Sequence, residues 1–575
     1  MPIDGFFIKG LVSELKQIEN GRIDRIHQPT KNSLKIQIYS KSGKKTLLLS
    51  ANSKSSSVHF TNKSMENPPT PPPFCMLLRK FLIGGKITNI SQYENDRIID
   101  FHIKRTDEFD LTKEFMLPCE LTGKHSNIVI VNKGTNRILD GIKRIQRELS
   151  DEREIIPGVL FERPPKQNKL NPFDITNNEL KKLLQNTSIE DDYEKIFFEN
   201  FQGVSPLLSK KIVKKSGFFS TQDYNDLISY WSSTKEKLMS QNYTPILIKD
   251  EKFDEIKDIY WDKSLFDNVK TIEYSSLNDA TDDYFYYKER KELTHQLQTN
   301  LKKKVNQALK KAKKKFKKQK KEYENSEEGS IYKIYGELLS ANYHLLANAH
   351  SNEVSVYNFY QDPPEEISIP IDSSKTPGEN IENYFNKFKK STNRVEKLGK
   401  EIKITKNEIK YLEGLVFQID EAKTLEELET IKLEAIQEGY IKREKTQKKK
   451  KETQKDDYIR YYSQDGYLIL VGKNNKQNDS LTLKETSKND IWLHTKEIAG
   501  SHVIIKGNNI PESTLSEAAN IAAYHSKARH SENVPVDYTY VKHVRKPKGA
   551  KPGMVFYENY KTIYANPYEL EQNES

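Results

Sequence analysis

Two apolar stripes in the middle of the sequence constrain the chain more than any other feature. Leu293, Leu297, Leu301, Val305, Ala308, Ala312 and Phe316 step by three or four residues and so share one face of a helix. Val395, Leu398, Ile402, Thr405, Ile409, Leu412, Val416 and Ile419 alternate the same steps, the a and d rhythm of a coiled coil with Thr405 as a polar interruption. Between the stripes, Asp362-Pro363-Pro364 and Thr376-Pro377-Gly378 form turns and Val354 to Tyr360 is strand-like, so the chain reverses there. The expectation is a long antiparallel coiled-coil arm over 286–445 with a small tip at about 331–385. The alternative is two separate amphipathic helices packed on other domains.

With 575 residues the chain exceeds what one core supports, and the segments around the arm differ in pattern. Residues 1–171 read as a mixed domain with strands at Ser33 to Tyr39, Lys45 to Leu49, Arg97 to Lys104 and Ser126 to Val131. There the run Asn67 to Pro73 leads into a helix from Phe74 to Ile83 that stops at Gly84-Gly85. Residues 172–285 form a helical module, with helices at Glu179 to Leu184, Asp191 to Phe201 and Pro206 to Lys214, followed by a connecting segment with a strand at Thr244 to Ile248. Residues 457–565 are a last α/β unit whose helix opens at a Thr514–Glu517 capping box. The fold class is α+β multidomain.

Several functions are excluded by residues that are missing. No stretch approaches the ~18 apolar residues of a spanning helix, and Met1-Pro2-Ile3-Asp4-Gly5 lacks the basic and apolar regions of a signal peptide, so the protein is expected in the cytoplasm. The two cysteines, Cys75 and Cys119, are too few for a thiolate zinc site and are expected to be reduced. P-loop, HExxH and GxSxG patterns are absent, so the chain is expected to be non-catalytic and free of cofactors and metals. A histidine metal site from His494, His502 and His525 lacks ligand spacing of a known type.

What remains points to polyanions. Lys+Arg number 93 against 82 Asp+Glu, a net charge of +11, and lysines from Lys302 to Lys321 crowd the first stripe. Such a field attracts phosphate without reading sequence; its plain alternative is a solvated helix face. Lys448 to Lys451 add a second patch. Phe201-Gln202-Gly203-Val204-Ser205-Pro206 resembles a helix-hairpin-helix turn, in which Gly203 permits a tight backbone, Ser205 caps and free amides face a phosphate. An ordinary capped turn between helices would read the same. In Asp490-Ile491-Trp492-Leu493-His494, Asp490, Trp492 and His494 share one strand face. Trp492 could stack on a base while His494, Lys496 or His502 contacts sugar or phosphate, or Trp492 could be a core residue beside a hydrogen-bonded histidine. Lys542, His543, Arg545, Lys546, Lys548 and Lys551 form a basic loop.

In order along the chain, Asp4-Gly5-Phe6, Leu78-Arg79-Lys80 with Gly84-Gly85, Asn95-Asp96-Arg97, Glu120 to Asn127, Ile156-Pro157-Gly158 with Pro164-Pro165, and Gly203 to Pro206 resemble the NFACT family. So do Gly336 to Leu339, Asp465-Gly466, Val471 to Asn475, Asp490 to His494, Gly500 to Val503, Val544 to Pro547 and Lys551 to Gly553. Pro2 and Leu121 depart from the pattern. The resemblance implies an NFACT-N domain with a fold like formamidopyrimidine-DNA glycosylases, a helix-hairpin-helix module, the arm and an NFACT-R domain. It implies binding to the large (50S) ribosomal subunit holding an obstructed peptidyl-tRNA, recruitment of tRNA, alanine tRNA in bacteria, and template-free C-terminal tailing, with peptide transfer left to the ribosome. It ties Asp96 and Arg97 to tRNA recruitment, places Asp4 and Glu120 on the same surface, and adds Arg79, Lys80 and Lys124 as tRNA contacts. Two competing readings are a cell-surface fibronectin-binding adhesin, a label relatives carry, and a DNA glycosylase using a Pro2 amine.

Overall fold

The computed structural model describes the chain apart from residues 1–2, 107–110, 147–152, 166–167, 187–192, 219–223, 251–254, 348–350, 444–457 and 569–575. Pro2, the start of the helix expected from Asp191, and Lys448 to Lys451 lie outside the described residues. The chain divides into two compact units, Met1–Lys291 and Glu292–Ser575.

The first unit is built on a nine-stranded antiparallel sheet. Helix α1 (Gly5–Leu15) precedes β1 (Arg22–Thr30), β2 (Ser33–Ser40), β3 (Gly43–Ser50) and β4 (Ser57–Phe60); helix α2 (Pro73–Leu82) then leads into β5 (Lys86–Gln92), β6 (Ile98–Thr106), β7 (Thr112–Glu120), β8 (Asn127–Asn132) and β9 (Arg137–Gly141). The spatial order β4-β3-β2-β1-β5-β6-β7-β8-β9 is two meanders joined between β1 and β5. Pro73 occupies the first turn of α2, where its missing N–H costs nothing, and Gly84 beyond the helix end takes a positive φ of 81°.

Helices α3 (Asn177–Gln185), α4 (Ile196–Asn200), α5 (Pro206–Lys215) and α6 (Asn225–Met239) follow, then a small sheet of β10 (Ile246–Lys249), β11 (Ile256–Tyr260) and β12 (Thr271–Glu273). Trp231 of α6 stacks on Phe197 at 4.5 Å and packs near Phe6 and Phe201, so the helical module and α1 share one core with the sheet. Tyr284 and Phe285, the last residues of the segment read from sequence as connecting, lie inside a 51-residue helix, α7 (Leu277–Glu327). Its earlier start has a local cause. The Glu14 carboxylate of α1 accepts from Leu277 N at 2.8 Å, Asn278 N at 2.9 Å and Ser276 Oγ at 2.9 Å, satisfying amides that a helix start leaves open.

In the second unit α7 is followed by α8 (Ile331–Ala341), α9 (Tyr343–Ala347), a hairpin of β13 (Glu353–Asn358) and β14 (Glu365–Pro370), and helix α10 (Pro377–Glu421). Helix α10 returns antiparallel to α7. Gln298 reaches the Ile419 carbonyl at 2.7 Å, Lys302 pairs with Asp420 at 2.6 Å, Lys313 with Glu413 at 2.6 Å, and Arg394 with Glu322 at 3.4 Å. Leu301, Val305 and Ala312 meet Leu412 and Ile419 as the stripes require, together with Leu415, which the second stripe did not include. Leu293 stays 45% exposed, because α10 ends opposite Gln298 and Lys302 and nothing covers the first stripe position. Buried Thr405 donates to Gln319 Oε1 at 2.8 Å, and Gln319 donates to Glu401 at 3.1 Å, so the polar interruption is a satisfied layer inside the arm. Helix α11 (Leu425–Gln437) adds Leu428, Ile431 and Ala435 to the arm base, which is why Tyr411 and Leu415 are buried more fully there than Val416. The tip has its own core around Leu338, Leu339, Val356 and Ile369.

The chain then forms β15 (Ile459–Tyr462), β16 (Leu468–Val471), α12 (Asn475–Leu483), β17 (Ile491–Thr495), β18 (Val503–Ile505), α13 (Glu512–Tyr524), β19 (Val534–Tyr540), the short pair β20 (Val544–Arg545) and β21 (Phe556–Tyr557), and β22 (Lys561–Ala565). The six-stranded sheet runs β15-β16-β18-β17-β19-β22. Leu493 and Val503 face α13, whereas Trp492 and Ile504 face Leu481 of α12. The capping box expected at Thr514 and Glu517 is not what starts α13. Thr514 is buried and donates to Asp465 at 2.7 Å, Glu517 accepts from Gln464 N at 3.1 Å, and the helix begins after Pro511, so tertiary partners outcompete the local cap.

A buried polar cluster joins the arm base to α12. Tyr411 donates to Glu434 Oε1 at 2.5 Å, Asn475 Nδ2 donates to the same oxygen at 2.9 Å, and Gln418 donates to Asn475 at 2.7 Å. Burial pushes the Glu434 carboxyl above its ordinary range. A carboxyl that binds its proton more tightly folded than unfolded loses stability as pH rises from its unfolded pKa towards its folded one. Glu434→Gln, which keeps the accepting oxygen, is expected to protect α11 amides from hydrogen exchange more than wild type does at pH 7.5. Compared side by side at pH 4, the two should converge; equal protection at both pH values would contradict the assignment.

Candidate nucleic-acid interface

The Asp96-Arg97 pair sits on the hairpin between β5 and β6. Glu94 and Asn95 both have positive φ, 43° and 55°, and Asp96 N donates to the Tyr93 carbonyl at 2.8 Å, the geometry of a type I′ turn. Gln92 Nε2 donates to the Gly5 carbonyl at 2.8 Å and to the Asp96 carbonyl at 2.9 Å, tying the turn to the start of α1. Asp96 Oδ1 accepts from Arg97 N at 2.7 Å, and Asn95 Nδ2 donates to Asn171 at 2.7 Å. Both Asp96 and Arg97 are partly exposed. Tyr93, Asp96, Pro164, Pro165, Gln202 and Gly203 line a small cleft beside the turn, about 20 Å³ and therefore roomy enough for little more than a water. A large ligand there would rest on the rim.

Gly203 and Ser205 stand at the same junction. Gly5 N donates to the Gly203 carbonyl at 2.7 Å, and Ser205 Oγ both accepts from Leu208 N as the cap of α5 and donates to Asp4 Oδ2 at 2.6 Å. Asp4 Oδ1 in turn caps α1 by accepting from Phe7 N at 3.0 Å. Asp4 is buried, and burial raises its carboxyl pKa. A tRNA contact for Asp4 is therefore corrected to a structural one: it staples α1 to the helix-hairpin-helix turn.

Glu120 needs the same correction. It is 0% exposed and forms a bidentate pair with Arg153, one arm at 2.8 Å. Its strand partner is Ile98, and Leu121 N donates to the Arg97 carbonyl at 2.8 Å, so Glu120 lies directly under the Asp96-Arg97 turn. Arg163 pairs with Asp100 at 2.9 and 2.7 Å and lies 4.3 Å from the centre of the Tyr93 ring. Arg153, Arg163 and Tyr93 were not singled out from the sequence; no local pattern marks a support that is assembled across strands.

The other proposed tRNA contacts are spread over the unit. Arg79 Nε donates to the Ile26 carbonyl at 2.8 Å, so its guanidinium holds α2 to β1. Lys80, at the end of α2, and Lys124, in the 3₁₀ turn Gly123–His125, are exposed.

In the second unit the sequence-derived stacking residues prove to be core. Trp492 is 1% exposed and packs on Tyr557 at 4.7 Å and His494 at 5.8 Å. His502 is 2% exposed, its Nδ1 lies 2.8 Å from Thr482 Oγ1, and burial holds its pKa at about 3. His494 is half-buried and also shifted down by burial. Trp492 and His502 are therefore corrected to a packing role, whereas His494 keeps part of its surface open beside Trp492. His525 bonds Tyr461 on the opposite sheet face at 3.0 Å, so the three histidines do not converge. Lys546 is paired with Asp479 and anchors the basic loop to α12. Arg545 is exposed but pairs with Glu558 at 2.6 Å, and exposed Lys542 lies 4.9 Å from the Tyr540 ring centre. Tyr540, Phe556 and Tyr560 are the exposed rings around this loop.

The sequence matches the model of the NFACT N-terminal and middle domains over residues 4–454 and that of the NFACT protein RNA binding domain over residues 457–559. The chain belongs to the NFACT family. It is 36% identical to the Rqc2 homolog RqcH of Bacillus subtilis (strain 168), over 99% of this chain and 98% of that protein. It is 33% identical to the Rqc2 homolog RqcH of Streptococcus suis (strain 05ZYH33), over 99% of both. A solved fibrinogen binding protein from Staphylococcus aureus is 31% identical, covers 49% of this chain and 99% of its own, and has a TM-score of 0.43. The NFACT match covers the Asp96-Arg97 turn, the Gly203–Ser205 junction and the arm, and the RNA-binding match covers the sheet of β15–β22 up to residue 559. Among the described residues no helix is long and apolar enough to cross a membrane.

Proposed function

We propose that this NFACT protein is a cytoplasmic ribosome-associated quality control factor. It binds the large (50S) ribosomal subunit carrying an obstructed peptidyl-tRNA, recruits tRNA, alanine tRNA in particular, and supports template-free tailing of the stalled chain for degradation. The chain itself is non-catalytic in this reading, and peptide transfer is the ribosome's. The carrying observation is similarity to Rqc2 homologs along 99% of the chain, arm and RNA-binding domain included. The division into 1–171, 172–285, 286–445 and 457–565, and the kinship of the first of these with glycosylase folds, belong to the same reading.

Geometry supports a role for the Asp96-Arg97 turn in recruitment. A rigid I′ hairpin presents a guanidinium that can fork onto a phosphate and a carboxylate that can accept from a ribose hydroxyl. Charged hydrogen bonds of this kind contribute about 1.5–3 kcal/mol, so Asp96→Ala with Arg97→Ala is expected to lower tRNA recovery about tenfold or more. The measurement is pull-down from cells with blocked translation followed by sequencing of bound RNA. Large-subunit rRNA should persist in both samples and a tRNA family should be enriched only with the unsubstituted protein. Recovery of neither RNA class would end this reading, and release of the chain from intact cells by surface proteolysis would favour an adhesin.

A further inference from the structure

Two sets of lysines on α7 contrast. Lys302 and Lys313 face α10 and are neutralised by Asp420 and Glu413. Lys304, Lys311 and Lys315, spaced seven and four residues apart, share another face and have no ion pair among the described residues. That face forms one wall of a groove of about 860 Å³ lying wholly within the second unit. Lys442, Arg443 and Lys551 line it from the segment after α11 and from the basic loop, so six cations there face two carboxylates, Glu408 and Glu438. Lys551 is fixed over the rings of Tyr411 at 4.7 Å and Tyr440 at 4.4 Å, which holds the loop against the arm base.

We infer that this groove between the arm base and the basic loop is a binding site for the sugar-phosphate backbone of an RNA strand. Eleven residues of helix separate Lys304 from Lys315, about 16 Å, so the cations are strung over several phosphates where a small anion would need only a point. Between them the groove wall contributed by α7 is Gln307, Ala308 and Ala312, of which the two alanines let a backbone approach. A linear row of unpaired lysines with little polar side-chain variety reads charge and spacing, with no base-edge recognition. The inference deepens the RNA-binding part of the function proposed above and rests on it.

The test uses the full chain and a fluorescent RNA hairpin with a single-stranded tail, titrated at several salt concentrations. Lys304→Gln/Lys311→Gln/Lys315→Gln should weaken binding at least tenfold and reduce the slope of log affinity against log salt by about 2, at about 0.7 per lost single-strand phosphate contact. Lys303→Gln/Lys310→Gln/Lys317→Gln removes equal charge from the same helix outside the groove and should cost less than half as much. In parallel, a thiouridine-labelled hairpin photo-crosslinked to the unsubstituted protein should mark peptides containing Lys311, Lys442 or Lys551. Equal losses in both triple variants, or crosslinks confined to other peptides, would overturn the groove assignment. So would a groove variant that loses only inorganic tripolyphosphate, or only a polyglutamate competitor, while keeping its RNA affinity. Sedimentation with large ribosomal subunits separates the two levels. If the unsubstituted protein co-sediments and the groove variant binds RNA normally, the groove assignment alone falls; if the unsubstituted protein does not co-sediment, the function itself does.

Discussion

Arg153→Met is expected to destabilise the first unit by about 3–5 kcal/mol, because it strands the Glu120 carboxylate in a site with no access to water. The paired substitution Arg153→Met/Glu120→Leu removes both charges and should recover most of that loss. Unfolding followed by circular dichroism measures the two steps. The same pair of variants separates support from contact. Glu120 lies beneath the Asp96-Arg97 turn through its pairing with Ile98 and the Leu121–Arg97 bond. If Glu120 acts by holding that turn, the double variant should enrich tRNA nearly as well as wild type. A double variant that is stable yet recovers no tRNA would return Glu120 to the recognition surface.

Gly203→Ala should be nearly as damaging. Gly203 has φ of 72°, where a Cβ costs about 1–2 kcal/mol, and the added carbon would press on the Asn95 carbonyl oxygen and come within 3.0 Å of Gly5 Cα. None of these neighbours is a flexible side-chain end, so overpacking adds about 1–3 kcal/mol. A fall of about 4–10 °C in the first unit's thermal midpoint follows. Because Gly203, Gly5 and the Asp96 hairpin meet at one point, tRNA enrichment should fall as well, although Gly203 carries no side chain to contact RNA. An unchanged midpoint would mean that the junction is looser than its geometry requires.

The arm was readable in the sequence because helical periodicity is local. Leu301, Val305 and Ala312 are buried where the three-four rhythm put them, and Leu293 fails only because its partner helix ends too soon. Strands β2, β3, β6 and β8 were likewise visible as alternating or apolar runs. The interface residues fared differently. Asp4, Glu120, Trp492 and His502 are polar or amphipathic residue types that serve equally as contacts or as internal fasteners, and only packing from distant segments decides. Asp4 is enclosed by Ser205, some two hundred positions away, and His502 by Thr482 of helix α12. The I′ hairpin also gave no signal, since Glu94-Asn95 lacks the glycine that usually announces such a turn.

The polar layer of Gln319, Thr405 and Glu401 gives the arm something like the notch on a key. Apolar stripes alone tolerate sliding by a heptad, since each leucine finds another leucine-sized hole. Moving one helix by seven residues would set Gln319 against hydrocarbon and strip its amide of Thr405 and Glu401, a penalty no neighbouring register avoids. Length and alignment are thereby uncoupled: seven residues taken from both helices on the tip side of the notch would shorten the arm by about 10 Å with its pairing intact, while the same cut in one helix alone would jam it. In this fold the arm's reach can change without disturbing the alignment of its two helices.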